Sequence, residues 1–118
     1  MHKEEERKAK ELRKNIARAK DLIIGNWKRK DGKGSLWYVT YKSDSTEISK
    51  SGDFECVSKW YIKENEFFSN VIKYRATPKS KWENVSYVPN GCQIIYIDHN
   101  KLSTLFGDGS RNDFYRVK

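Results

Sequence analysis

From Ile23 to the C-terminus the chain divides into about eight short runs of β-forming residues at even spacing, with no helical stretch between them. Turn residues separate the runs: "DGKG", "KSDS", "KEN", "DHNK" and "GDGSRND" each interrupt a stretch rich in β-branched and aromatic side chains. The first full run, "SLWYVTY" (Ser35 to Tyr41), alternates Trp37, Val39 and Tyr41 on one face with Leu36, Tyr38 and Thr40 on the other. Gly52 reads as a bulge or bend within "TEISKSGDFECVSKWYI". "TPKSKWENVSYVPNG" is the least regular stretch, with Pro78 and Pro89 as punctuation and "PNG" as a turn. Many short strands without helices predict an antiparallel meander, and closure into a barrel removes the edges such a sheet would expose. The expected fold is mainly β: a small up-and-down barrel of about eight strands over residues 23–118.

A different pattern precedes it. Residues 1–22 contain neither Pro nor Gly, and the apolar residues Ala9, Leu12, Ile16, Ala19 and Ile23 recur at steps of three and four. That spacing predicts one amphipathic helix from about Glu4 to Ile23 with a narrow apolar stripe. Glu4, Glu5 and Glu6 at its start suit the helix dipole. Three roles fit such a helix: lying against the barrel by its stripe, linking the barrel to a membrane anchor, or pairing with another copy. No run in the sequence approaches the length needed to cross a bilayer, and none has the form of a signal-peptide core.

Charge follows the same division. The net charge is +8; residues 1–30 carry eleven Lys/Arg against five Asp/Glu, the rest thirteen against eleven. The basicity therefore belongs to the N-terminal segment, and a near-neutral barrel counts against nucleic acid as the partner. The aromatic share of 14% is too high for a disordered chain.

The tripeptide "GNW" (Gly25 to Trp27) opens the first strand, and "FYRVK", with Arg116, closes the last. Together with the final "DHNK", "LSTLF" and "GDGSRNDFYRV" segments, they make residues 23–118 resemble the calycin superfamily, most closely the small bacterial lipocalin-like domains. The resemblance implies that Trp27 plugs the closed end of the barrel and that Arg116 packs over its indole, a structural pair. A guanidinium on an indole face contributes about 0.5 to 2 kcal/mol. The basic helix lies outside the family pattern.

Catalytic chemistry finds little support. His2 and His99 are the only histidines, so neither a His-based triad nor a multi-His metal site is expected. "GDGS" (Gly107 to Ser110) reads as a hairpin turn, and Glu64 and Glu66 as solvated flanks of another. Cys56 and Cys92 are either a disulfide closing a loop of 35 residues, which would place the chain in an oxidising compartment, or two separate buried thiols. No cofactor is expected.

The aromatic residues carry the remaining functional expectation. Trp37, Tyr41, Trp60, Phe68, Tyr74 and Trp82 belong to a set larger than a small barrel core requires. They either fill the barrel and cover its ends or form an apolar pocket or partner surface. The expected function is a non-enzymatic, lipocalin-like binding module of the periplasm or cell envelope, taking a small apolar ligand or a protein partner. An inhibitor or assembly accessory acting through barrel-end loops is the alternative, with nucleic-acid binding behind both.

Overall fold

The computed structural model describes residues 3–85 and 90–117. Helices α1 (Lys3–Ala17) and α2 (Ala19–Leu22) precede β1 (Gly25–Lys30), β2 (Leu36–Tyr41), β3 (Thr46–Ser51), β4 (Phe54–Lys63) and β5 (Glu66–Arg75). The chain continues through β6 (Glu83–Asn84), β7 (Asn90–Ile97), β8 (Lys101–Leu105) and β9 (Arg111–Arg116). Strands pair antiparallel in the order β4-β3-β2-β1-β9-β8-β7-β5, and β4 also pairs with β5, so eight strands close into a barrel. The two-residue β6 pairs with Lys73 and Tyr74, on the part of β5 beyond its pairing with β7 at Glu66–Ser69. The expected mainly-β barrel with its N-terminal helix is the observed architecture.

Three local expectations are corrected. The helix expected from Glu4 to Ile23 is broken at Arg18, whose φ of −102° and ψ of 14° leave the helical region. The break separates α1, which has no buried residue, from α2, which buries Ala19 and Leu22. Burying that short turn against the barrel requires the chain to change direction, a tertiary demand that the regular apolar spacing does not register. Gly52 is not a bulge inside one strand but the first residue of a two-residue hairpin loop, with φ +58°, between the paired Ser51 and Phe54. The last strand begins at Arg111 rather than Phe114. Of the expected turn at residues 89–91, Pro89 lies outside the described residues.

Two register shifts adapt the strand alternation to the barrel. Ile94 pairs with Thr104 and Tyr96 with Ser103, leaving Ile95 as an extra residue on β7. Ile94 and Ile97 therefore both reach the core, although a regular strand would put them on opposite faces. A second shift on β5 lies opposite Val57 and Ser58.

Trp27 is fully buried at the start of the barrel, beside Leu22 and Ile23 in one apolar cluster. Its indole N–H donates to the Ile23 carbonyl at 2.8 Å. Trp27 pairs across strands with Arg116, whose guanidinium carbon lies 4.0 Å from the indole centroid. That guanidinium also donates to the carbonyls of Leu22, Ile24 and His99. Gly25, with φ +132°, passes so close that a Cβ there would lie 2.5 Å from Arg116 Nη1. The Gly-x-Trp sequence thus admits the guanidinium at its first position and offers it a ring at its third.

Truncating Trp27 would empty the most buried large side chain of this end. Trp27→Ala is expected to lose about 3 to 5 kcal/mol of stability in equilibrium urea unfolding; a loss below about 1 kcal/mol would rule out Trp27 as the plug.

Candidate functional site

The barrel interior combines aromatic and polar side chains. At the Trp27 end Tyr41, Trp60 and Phe67 form a buried aromatic cluster, Tyr41 meeting the other two edge-on with centroids at 5.9 and 5.6 Å. Polar groups enter at the same levels of the strands. On β3 the side chains directed inward are Glu47 and Ser49, because Glu47 pairs with the inward Tyr41 and Ser49 with the inward Val39. A partly open cavity of about 140 Å³ results, with Val39, Phe67, Leu102 and Phe114 as apolar walls and Arg29, Glu47, Thr104 and Asn112 among its polar groups.

Glu47 is only 8% exposed. Its two carboxyl oxygens accept from Ser69 Oγ at 2.9 Å and Ser49 Oγ at 3.2 Å. Burial nevertheless raises its pKa above the ordinary carboxylate value, the serine bonds and the more distant Arg29 charge opposing the shift. Arg29, on the same inward face of β1 as Trp27, has its guanidinium carbon 5.6 Å from the Trp37 centroid and 5.7 Å from that of Phe114. Burial likewise raises the pKa of the Tyr41 hydroxyl and of the Cys92 thiol, which both line the cavity.

The six aromatic residues singled out in the sequence occupy four different environments. Tyr41 lines the cavity and Trp60 packs beside it. Trp37 and Tyr74 meet Phe54, edge-on at 5.9 Å and stacked at 5.8 Å respectively. Phe68 points outward, stacked on Tyr61 at 4.6 Å and covering Gly91, where a Cβ would lie 2.6 Å from its ring. Trp82 lies beyond β5, with Lys73 and Arg75 4.7 and 4.4 Å from its ring. The structure thus separates Phe68 and Trp82 from the interior. Arg29, Glu47, Ser69 and Thr104 are among the interior residues that sequence reasoning missed; Arg29, Ser69 and Thr104 share strand parity with the buried Trp27, Phe67 and Leu102, whereas Glu47 is placed inside only by its cross-strand pairing with Tyr41.

Cys56 and Cys92 are free thiols. Cys56 pairs with Tyr74 and Cys92 with Phe67, on opposite edges of β5. Seven residues of strand separate these levels, about 20 Å at the usual rise and far beyond the roughly 7 Å a disulfide tolerates. A bridge within the chain is therefore excluded in this fold, and with it the reason for an oxidising compartment that a bridge would supply.

Among the described residues no group of three or more His, Cys, Asp or Glu side chains could hold a metal ion, and no helix is long and apolar enough to cross a membrane. No family model matches the chain, and neither curated proteins nor solved structures give a significant match. Fold and interior therefore define it: an eight-stranded antiparallel barrel, preceded by a helix, around a small cavity of mixed polarity.

The raised pKa of Glu47 has a definite consequence for stability. The folded chain holds this proton more tightly than the unfolded chain, so stability falls as pH rises from the ordinary carboxylate range through the folded titration of Glu47. Glu47→Gln keeps the shape and removes the charge. In urea unfolding the variant should gain on the wild type between about pH 4 and neutrality. A wild type that instead gains on the variant as pH rises would show that the ionised carboxylate is favoured by folding.

Proposed function

We propose that the chain is a non-enzymatic binding protein of the calycin type that takes a compact ligand into its barrel. The observation that carries this reading is the cavity of about 140 Å³ that pairs apolar walls with the buried carboxyl of Glu47. A cavity of about 150 Å³ accommodates benzene, so the ligand would have on the order of six to eight non-hydrogen atoms. Its apolar body would meet Val39, Phe67, Leu102 and Phe114, and one hydrogen-bonding group would be oriented by Glu47 or Arg29. Long-chain lipids do not fit a space of this size. Trp27 under Arg116 supports the calycin assignment, since the resemblance implies that pair at the closed end.

Phenol and benzylamine are suitable probes, being of the right size and carrying different polar groups. Titrated into the ¹⁵N-labelled full chain, at least one is expected to give saturable shifts in the amide resonances of Val39, Ser69 and Thr104. Filling the cavity by Val39→Phe should abolish them while the rest of the spectrum remains that of the folded barrel. Absence of saturable shifts for both probes at millimolar concentration, or shifts that survive Val39→Phe, would refute interior binding of compact ligands.

A further inference from the structure

The near-neutral sum of the barrel conceals an uneven arrangement on its outer face. Lys50 pairs with Tyr38, Tyr38 with Lys28, Lys28 with Tyr115, and Tyr115 with Lys101. Five neighbouring strands, β3, β2, β1, β9 and β8, thus carry one lateral row in which lysine and tyrosine alternate. At the usual strand spacing of about 4.8 Å the row runs for about 19 Å, with the two tyrosines about 10 Å apart. Tyr38 is 51% exposed and Tyr115 48%.

The centre of the row is concave. A groove of about 480 Å³ lies over β2, β1 and β9, lined by Tyr38, Tyr115, Lys28, Lys30, Leu36 and Arg111. Asp113, the carboxylate at the groove, is held by Arg111 at 3.0 Å and by the Ser103 hydroxyl. Glu55, near the end of the row, pairs with Arg75 and Lys50. Among the described residues neither Lys28 nor Lys30 is in an ion pair. The face therefore offers unneutralised cations beside exposed aromatic rings. Helix α1 packs against β7, which is not one of the five strands of the row.

We infer that this row is a docking surface for single-stranded nucleic acid. The two chemistries it alternates are those such a strand presents: lysines answer phosphates, and tyrosine rings accept unpaired bases by stacking, which tolerates any sequence. A polyanion without bases would use the lysines and leave the half-exposed ring of Tyr38 without a role, whereas Tyr115 already has Lys101 Nζ 5.8 Å from its centroid. Duplex bases are already stacked on one another, so duplex also gains little from the rings. The row of tyrosines and lysines lies on the outer face of the barrel; Arg29, which lines the interior cavity, also borders this groove.

The test measures fluorescence anisotropy of labelled oligothymidylate and oligouridylate with the full chain, with heparin and a DNA duplex as comparators. Both single strands are expected to bind, and the slope of log K against log salt should be about −2 to −3 for three or four neutralised phosphates. Tyr38→Leu and Tyr115→Leu should each weaken single-strand binding about five-fold or more while leaving heparin binding and the thermal midpoint unchanged. Tyr→Phe at either position should restore it. Lys28→Gln should reduce the salt slope by about 0.7.

Several outcomes would overturn the inference. Absence of binding at low salt is one. Leucine variants that bind as the wild type, with affinity lost instead in the helix variant Arg7→Gln/Lys8→Gln/Lys10→Gln, would assign binding to α1. Heparin bound more tightly than oligothymidylate, and weakened by the same tyrosine changes, would replace nucleic acid by an acidic polysaccharide.

Discussion

The contact on which the rest of the barrel depends is the guanidinium of Arg116 lying over Trp27. The barrel closes where β9 meets β1, and the paired residues at that seam are Trp27 with Arg116 and Lys28 with Tyr115. By comparison β1 and β2 share six pairs. So short a ladder is reinforced by side-chain bonds: Arg116 reaches across the seam to the carbonyls of Leu22 and Ile24, and on its own side to that of His99. Hydrogen bonds from a charged donor contribute about 1.5 to 3 kcal/mol each, and the indole stack adds to them. One side chain thereby joins the end of the helical segment, the first strand and the β7–β8 turn. Lysine, a point charge without the planar fork, cannot make this set of contacts.

The cost of the interior arrangement is carried by Glu47, level with Tyr41 in the strand register. A carboxyl as buried as Glu47 is disfavoured when ionised, and its two serine bonds offset that only in part, as the direction of its pKa shift records. An apolar residue at this position would pack without that cost. Tyr41 shares the environment: its hydroxyl is buried near Glu47, while its ring closes the aromatic cluster with Trp60 and Phe67. The buried polar groups therefore share one cavity with Tyr41 and Phe67 of the aromatic cluster and with Val39, the cross-strand partner of Trp27. A concentrated polar cost beside an open volume is what a binding site requires.

What the sequence made legible were features set by local chemistry. The eight runs announced themselves through β-formers and turn residues, and Trp27 and Arg116 through their places at the two ends of the barrel segment. Features set by tertiary geometry were not legible in the same way. The break at Arg18 arises because α2 must turn onto the barrel, although the apolar spacing continues through it. Glu47 reads as a surface charge in "TEISKS", yet its pairing with Tyr41 turns it inward and places Ile48 outside. Phe68 and Trp82 have the composition of pocket residues, but one is directed outward by strand parity and the other lies beyond β5. The tyrosine–lysine row depends on lateral register across five strands, which no single segment contains.

Inner and outer surfaces are consequences of one choice of register. On β1, Trp27 and Arg29 alternate with Lys28 and Lys30; on β2, Val39 and Tyr41 alternate with Tyr38 and Thr40; on β9, Phe114 and Arg116 flank Tyr115. A slip by one residue of β1 against β9 would separate Trp27 from Arg116 and Lys28 from Tyr115 in the same step. The outer row would then lose its alternation just as the closed end lost its plug. Because Arg116 can meet the indole, the carbonyls of Leu22 and Ile24 and the bare backbone of Gly25 only in the observed register, the contact that holds the barrel shut also aligns the exposed tyrosines with their lysines.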